Sequence, residues 1–384
     1  MEKKKLFYVM RYPLEENYHL KTKFDGQMRA LEQLGFDVFC IAYDRQDIYI
    51  VHHTERERIG KTHFGFPNYI HTLFFHDLHA AAMAAMKKYH INVLYWRSAP
   101  TWRSTYAMLK QAKKQGVMNI CEVPTYLVNI PEKPLSFARK VFGAYSNYWE
   151  KQIADEIDYY LLCGDPAPEL YRGKAATNID NGISPEMLPV RQPRIDSTSI
   201  RLLCLASMSY WHGYDRLIRS LANYQGPENV VIHMVGGNEG GSLAEWKRLV
   251  TNLGLTEHVV FHGPMYGDDL TSMFDLCDVG ICSLGAYRKG LDETSELKAR
   301  EFISRGLPFV TAVKDPLLTQ FDQRFRYELK NDDSTPDMQG IVAFALKTRE
   351  VQNHPQTLRQ YAIDHMTWKA QYEKAFSTLG VELT

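Results

Sequence analysis

The sequence predicts an α/β protein made of two doubly wound, Rossmann-like domains, and three observations support this. With 384 residues the chain is too long for one ordinary core and fits two domains of roughly 180 residues each. Short apolar runs alternate with amphipathic ones through both halves, the rhythm of parallel strands covered by helices. An Asn/Gly/Pro/Ser-rich stretch near residues 178–199 separates the two series and reads as a linker.

In the first series, LFYVMRY is an apolar strand, and FDGQMRALEQLG has helical periodicity closed by Gly35. FDVFCIA alternates as a strand. The Ala-rich HDLHAAAMAAMKKY then leads to strand INVLYWR, and TYAMLKQAKKQG leads to strand VMNICEV. The second series runs IRLLCLAS, YDRLIRSLANY, VVIHMVG, SLAEWKRLVTNLG, HVVFHG, DLTSMFDLC and DVGICSL. Helix SELKAREFISRG and strand PFVTAV follow, then two closing helical stretches. In sheets of this kind ligands bind beyond the carboxyl ends of the strands, which predicts a cleft between the domains.

Composition removes several classes. The formal net charge is zero, so no overall field favours nucleic acid. Residues 1–182 carry 24 Lys/Arg against 20 Asp/Glu, leaving the remainder 21 against 25. The basic excess is concentrated in residues 87–140, with ten basic residues against Glu122 and Glu132. Such a segment, interleaved with Trp102 and Phe137, suits either an anionic lipid surface or a solvated basic face. The six cysteines have no framework spacing and sit mostly in apolar runs, as in a reduced, cytosolic compartment. The apolar run at the start is too short for a signal segment, and no stretch approaches the roughly 18 apolar residues of a spanning helix. His71, His76 and His79 match no zinc spacing and read as core or surface histidines.

The densest chemical constellation runs from Arg288 to Pro308. Arg288, Lys289 and Gly290 form a basic loop, Glu293 follows, and a helix is expected to begin near Thr294 or Ser295 and carry Leu297, Lys298 and Glu301. A helix N-terminus beside two cations is a natural diphosphate site. The two carboxylates are spaced to reach the sugar and ribose ends of a nucleotide sugar, since a carboxylate accepts from both hydroxyls of a diol. The same residues also fit a capped helix with a solvated face.

The segment resembles the Glu-x7-Glu motif of retaining GT-B glycosyltransferases of family 4 (glycosyl transferases group 1), including the Gly306-x-Pro308 ending. The similarity extends to NGI at Asn181–Ile183, to VVIHMVGG ending at Gly236 and Gly237, to HVVFHGPM with His262 and Gly263, and to TWKAQYEKAF near the end. It implies a GT-B fold with two Rossmann-like domains facing across a cleft: residues 1–182 for the acceptor, 183–363 for the nucleotide sugar, and a closing helix at about 364–384 crossing back to the first domain. It implies that Glu293 contacts the transferred sugar and Glu301 the ribose. Lys298, Ser295 and Leu297 would lie against the nucleotide, Gly236, His262 and Gly263 beside it, and no metal would be required.

One departure matters. Relatives place an Arg and a Lys in the loop after the first strand of the second domain, where this chain reads Ser207–Met208–Ser209–Tyr210–Trp211–His212–Gly213. His212 and Gly213 would still approach the diphosphate, with Arg288 and Lys289 supplying the missing charge. In the first domain Glu122, at a strand's carboxyl end, is either a base for the acceptor hydroxyl or a structural acceptor.

The expected activity is transfer of a sugar from a nucleotide diphosphate sugar, UDP favoured and GDP second, to a hydroxyl of a glycan or lipid-linked acceptor with retention. The expected setting is bacterial polysaccharide or glycoconjugate synthesis, cytoplasmic or peripheral on the inner membrane face. The alternative is a catalytically silent GT-B subunit that stabilises a partner transferase.

Overall fold

The computed structural model describes residues 3–15, 20–63, 71–124, 137–164, 167–193, 198–238 and 241–381, with the side chains of 71–74 and 137–139 outside that description. The chain forms two compact units. One takes in Met1–Leu127, Glu132–Asp180 and Trp368–Thr384, the other Asn181–Thr367 with Val128–Pro131.

The first unit contains β1 (Lys5–Val9), α1 (Lys21–Gln33), β2 (Asp37–Asp44), β3 (Asp47–His52), β4 (Glu55–Lys61), α2 (His71–Tyr89), β5 (Val93–Arg97) and α3 (Arg103–Lys114). It continues with β6 (Met118–Val123), α4 (Phe137–Ile153), β7 (Tyr159–Leu162), β8 (Leu170–Tyr171) and β9 (Lys174–Asn178). The sheet order is β4-β3-β2-β1-β5-β6-β7-β9-β8. Its middle is parallel, from β2 through β1, β5, β6 and β7 to β9, while β3–β4 and β8 add antiparallel edges. The β3–β4 hairpin lies outside the elements read from the sequence, although Ile48 and Ile50 alternate inward as a half-buried strand should. Edge strand β4 carries Glu55, Arg56, Glu57 and Arg58, all exposed, which discourages further strand pairing.

The second unit contains β10 (Ser199–Leu205), α5 (Tyr214–Ala222), β11 (Asn229–Val235), α6 (Leu243–Asn252), β12 (Val259–Gly263), α7 (Gly267–Leu276) and β13 (Val279–Ile281). It closes with α8 (Leu297–Arg305), β14 (Phe309–Thr311), β15 (Arg326–Glu328), α9 (Met338–Arg349) and α10 (His354–His365). All six strands are parallel, in the order β12-β11-β10-β13-β14-β15. Both faces are covered, so the period-two alternation of a strand divides its side chains between two cores. Leu202 and Cys204 pack with Leu217 of α5 and Ile341 of α9, whereas Leu203 packs with Phe274 of α7 and Phe302 of α8.

Helix α11 (Trp368–Leu379) returns the chain to the first unit. Its buried stripe is Trp368, Tyr372, Ala375 and Phe376, a helical spacing. Lys23 of α1 lies 5.2 Å over the Trp368 ring, and Phe376 packs edge-on against Phe36.

Candidate active site

The chemistry-bearing residues of the second unit gather around the carboxyl ends of β10 to β13 and the start of α8. Backbone contacts set the floor. Gly236 has φ of 139°, and a Cβ there would stand 1.7 Å from the Ala206 carbonyl oxygen, so only glycine fits. Gly213, at φ of 67°, is pressed against Gly285, whose nitrogen would lie 2.5 Å from an added Cβ. The Leu284 N–H donates to the His212 carbonyl at 2.7 Å. The loop after β10 is thereby locked to the loop after β13, and both reach the same place.

Within this frame the His212 Nδ1 accepts from the Ser209 N–H at 3.1 Å. Burial, then the fields of Lys298 and Lys289, push its pKa down to about 2. His212 is therefore neutral with its proton on Nε2, a hydrogen-bond donor without charge. Lys298 Nζ donates to Tyr214 Oη at 3.2 Å and to Ser283 Oγ at 3.3 Å. Lys289 Nζ lies 3.9 Å from the centre of the Trp211 ring. Burial and Lys298 lower its pKa against the opposing pull of Glu296. Two partly buried ammonium groups and one N–H donor thus converge from three chain segments.

Arg288 has a different position from the one the sequence suggested. Its guanidinium donates to both Asp215 oxygens at 2.8 and 2.9 Å, to the Tyr210 carbonyl at 2.6 Å, to Tyr287 Oη at 3.0 Å and to Asp333 at 3.3 Å. Those bonds occupy all five donors of the group. Arg288 braces the loop after β10 and has no N–H left for a phosphate.

Helix α8 begins at Leu297, with Glu296 at its cap position, two or three residues later than the sequence suggested. Glu296 Oε2 accepts the Ser283 N–H at 3.0 Å. Ser295 consequently does not cap the helix. Its hydroxyl accepts from the Asn181 N–H at 2.7 Å and from Arg300 at 3.0 Å, which docks the Asn181–Gly182 turn onto this loop. Arg300 is fully buried and pairs with Asp315 through both terminal guanidinium nitrogens. Leu297 and Lys298 then occupy the first turn, where N–H groups lack intrahelical acceptors.

Glu293 is half-buried, in a loop held parallel to Lys314 by the Thr294 N–H to Lys314 carbonyl bond of 3.0 Å. Glu301 is half-buried on α8 and accepts from Arg305 Nε at 2.9 Å. Beyond β11 and β12, the Gly236 N–H donates to the Gly263 carbonyl at 2.9 Å. His262 Nε2 lies 2.9 Å from His233 Nδ1. Burial, then each other's proximity and Arg201, lower His233 to about 4, and burial lowers His262. The pair is neutral and shares one N–H.

The first unit resolves the ambiguity of Glu122. The carboxylate is completely buried and accepts from Gln27 at 2.9 Å, Tyr95 Oη at 2.7 Å and Arg97 at 3.3 Å, with Lys23 at 3.6 Å. Burial pushes its pKa up, but Lys23 and Arg97 outweigh that and hold it below the usual carboxylate range. It is a core charge closed off from solvent, and acts as a structural acceptor. A small pocket at the carboxyl ends of β1 and β5 is lined by Met10, Arg11, His79, Trp96, Arg97 and Pro100. His79 is a buried, neutral histidine whose Nδ1 meets Ser104 Oγ at 3.0 Å, its pKa lowered by burial to about 3.

Residues 190–325 match the family model described as glycosyl transferases group 1. A sequence search of curated proteins finds no match. Among solved structures, the sucrose-phosphate synthase of Thermosynechococcus elongatus superimposes with a TM-score of 0.66 at 14% identity, covering 99% of this chain and 98% of that one. The catalytic domain of Arabidopsis thaliana starch synthase IV, solved with ADP and acarbose, gives 0.68 at 10% identity over 99% and 100%. Anabaena HepE, solved with UDP, gives 0.62 at 12% identity over 99% and 100%. The chain carries the GT-B fold over its whole length, and its residues 190–325 are similar to the glycosyl transferases group 1 family.

Proposed function

We propose that this protein is a retaining glycosyltransferase that moves a sugar from a nucleotide diphosphate sugar, a UDP-sugar, to a hydroxyl of a glycan or lipid-linked acceptor. The observation that carries this reading is the convergence of Lys289, Lys298 and the neutral His212 N–H at the start of α8, with Glu293 and Glu301 on either side of that start. Two ammonium groups, one uncharged donor and a helix N-terminus suit the oxygens of a diphosphate. HepE was solved with UDP and starch synthase IV with ADP, which supports a nucleoside diphosphate as the ligand here.

In this reading Lys289 and Lys298 neutralise the diphosphate as the bond from its oxygen to the anomeric carbon breaks. The acceptor oxygen bonds to that carbon on the same face, and its proton passes to the departing phosphate oxygen. Glu301 accepts from the ribose hydroxyls and Glu293 from the sugar hydroxyls. Two fixed ammonium groups make a divalent cation unnecessary for this step. The proposed donor domain is residues 183–363, and residues 1–182 with the closing helix hold the acceptor, for which the pocket at β1 and β5 is the candidate.

A lipid-linked acceptor fits a further feature. On α4, Val141, Phe142, Tyr145 and Tyr148 are 41–56% exposed in one stripe, beside Lys140 and Lys151. Aromatic and basic side chains on one helix suit the anionic inner face of a bacterial membrane. Phe137 and Arg139 of the basic segment lie outside the described side chains, and Trp102 is buried against Phe142 and Tyr145.

Calorimetric titration with UDP, GDP and ADP, followed by product analysis by NMR with the matching donor, tests the reading. UDP binding and an anomeric configuration equal to the donor's are expected; no binding of any nucleoside diphosphate refutes it. The loop after β10 has no cation of its own, so binding without hydrolysis or transfer would favour the silent subunit.

A further inference from the structure

The geometry points to a structural site for a divalent transition metal, Zn2+ first of all, formed by Asp37, His52 and His53 with Glu32 behind them. Consecutive residues of a strand ordinarily face opposite ways. His52 ends β3 and His53 opens the turn to β4, yet their ring centres are only 4.3 Å apart. The cause is the backbone of His53, whose φ of 52° lies in the left-handed region. For a residue with a side chain that conformation is disfavoured and persists where surrounding structure imposes it. Both imidazoles turn towards one carboxylate. Asp37 Oδ1 is 2.7 Å from His52 Nε2 and 3.5 Å from His53 Nε2.

Ligand atoms around a tetrahedral Zn2+ with bonds of about 2.0–2.1 Å lie roughly 3.3 Å apart. The separations of 2.7 and 3.5 Å bracket that value, and the ligand atoms of all three residues lie within 4.8 Å of one another. The supporting contacts are also in place. Glu32 Oε1 lies 3.2 Å from His53 Nδ1. A carboxylate on the far ring nitrogen fixes the tautomer and leaves the lone pair of Nε2 for a metal. The His52 ring is held flat on Phe39, 4.1 Å between centres and 3° between planes. One His–Asp hydrogen bond is an ordinary surface feature; two imidazoles aimed at one carboxylate, each with its own support, are not explained by it.

Two imidazoles and a carboxylate select zinc, cobalt or nickel over magnesium or calcium. Asp37 and His52 are half-buried and His53 is exposed, so solvent reaches the centre and a water can complete the coordination. The site sits at the amino end of β2, whereas ligands of doubly wound sheets bind at the carboxyl ends. Its role is to tie the end of α1, the start of β2 and the β3–β4 turn together, apart from sugar transfer.

The test uses the full chain, stripped with a chelator and titrated with Zn2+ by calorimetry, with thermal unfolding measured in parallel. Because the chain has 14 histidines, the variants must locate the metal. One equivalent is expected for the wild type, with a rise in Tm at saturation. His52→Gln and Asp37→Asn should weaken uptake at least tenfold and abolish the rise. Glu32→Gln should weaken it about tenfold, in line with the loss of a supporting carboxylate. His53→Asn removes the ligand while keeping a residue that tolerates the left-handed backbone, which guards against a variant that merely misfolds. No stoichiometric Zn2+ uptake, or uptake unchanged in these variants, overturns the proposal.

Discussion

Arg288 and Asp215 form a two-bonded guanidinium–carboxylate pair, 2.8 and 2.9 Å, that joins the loop after β13 to the first turn of α5. The Arg288 side chain is 16% exposed and that of Asp215 23%, so solvent screens the pair only partly. Arg288→Lys keeps the charge and loses the fork. We expect it to destabilise the protein by about 1–3 kcal/mol, read as a lower denaturation midpoint. UDP affinity should fall less than in the lysine variants below. A variant with unchanged stability and lost UDP binding would return Arg288 to the role of a phosphate ligand.

Lys289→Ala and Lys298→Ala each remove one charge from the proposed diphosphate site. A charge-assisted hydrogen bond contributes about 1.5–3 kcal/mol, so each should weaken UDP binding roughly 10- to 150-fold by calorimetry. Uridine, lacking the phosphates, should bind both variants as it binds wild type.

Glu301→Ala should erase discrimination between UDP and 2′-deoxy-UDP, because the carboxylate is assigned to the ribose diol. The lost contact also strips the buried Arg305 of a partner and should cost about 1–3 kcal/mol of stability. Glu293→Gln should leave UDP affinity unchanged and lower kcat with the nucleotide sugar.

His212 and His79 link stability to pH. Their folded pKa values, about 2 and about 3, lie below the ordinary 6.5. Below 6.5 the unfolded chain takes up protons that the native histidines refuse. Stability is therefore fully present above pH 6.5 and falls as pH drops towards the folded values. Each such histidine contributes up to about 1.4 kcal/mol per pH unit. Denaturant midpoints between pH 7 and 5 should fall steeply, and less so in His212→Asn. UDP affinity should show no step from His212 titration between pH 5 and 8.

Gly236→Ala places a methyl group 1.7 Å from the Ala206 oxygen and should abolish soluble, folded protein or lower Tm severely. Gly254→Ala, also at positive φ but with open space around it, should cost only about 1–2 kcal/mol. Equal effects at both positions would show that backbone strain, not the approach to Ala206, is what glycine relieves.

The βα alternation and the apolar runs of β10 and β11 were legible because burial on both faces of a parallel sheet leaves a continuous apolar signature. Hairpin β3–β4 was less so, since β4 is a charged edge strand whose only apolar residue is Ile59. The start of α8 was misplaced because Ser295 has the composition of a cap, while the Asn181 turn and Arg300 claim its hydroxyl from 114 and 5 residues away.

Residue type and spacing along the chain determined which groups were available: two carboxylates separated by seven residues, a basic pair, glycines at strand ends and a histidine in the loop after β10. Tertiary structure decided which of them remain available to a ligand. Arg288 and Lys289 are neighbours in sequence, yet Asp215, Asp333, Tyr287 and the Tyr210 carbonyl take every donor of the first, and the second rests on Trp211 beside Lys298. Glu122 at a strand end was open to two roles, base or structural acceptor, until Lys23 of α1 and Arg97 of β5 closed over it. A hydrogen-bonding group can be counted in the sequence, but whether its bonds are already spent depends on partners that only folding brings within 3 Å.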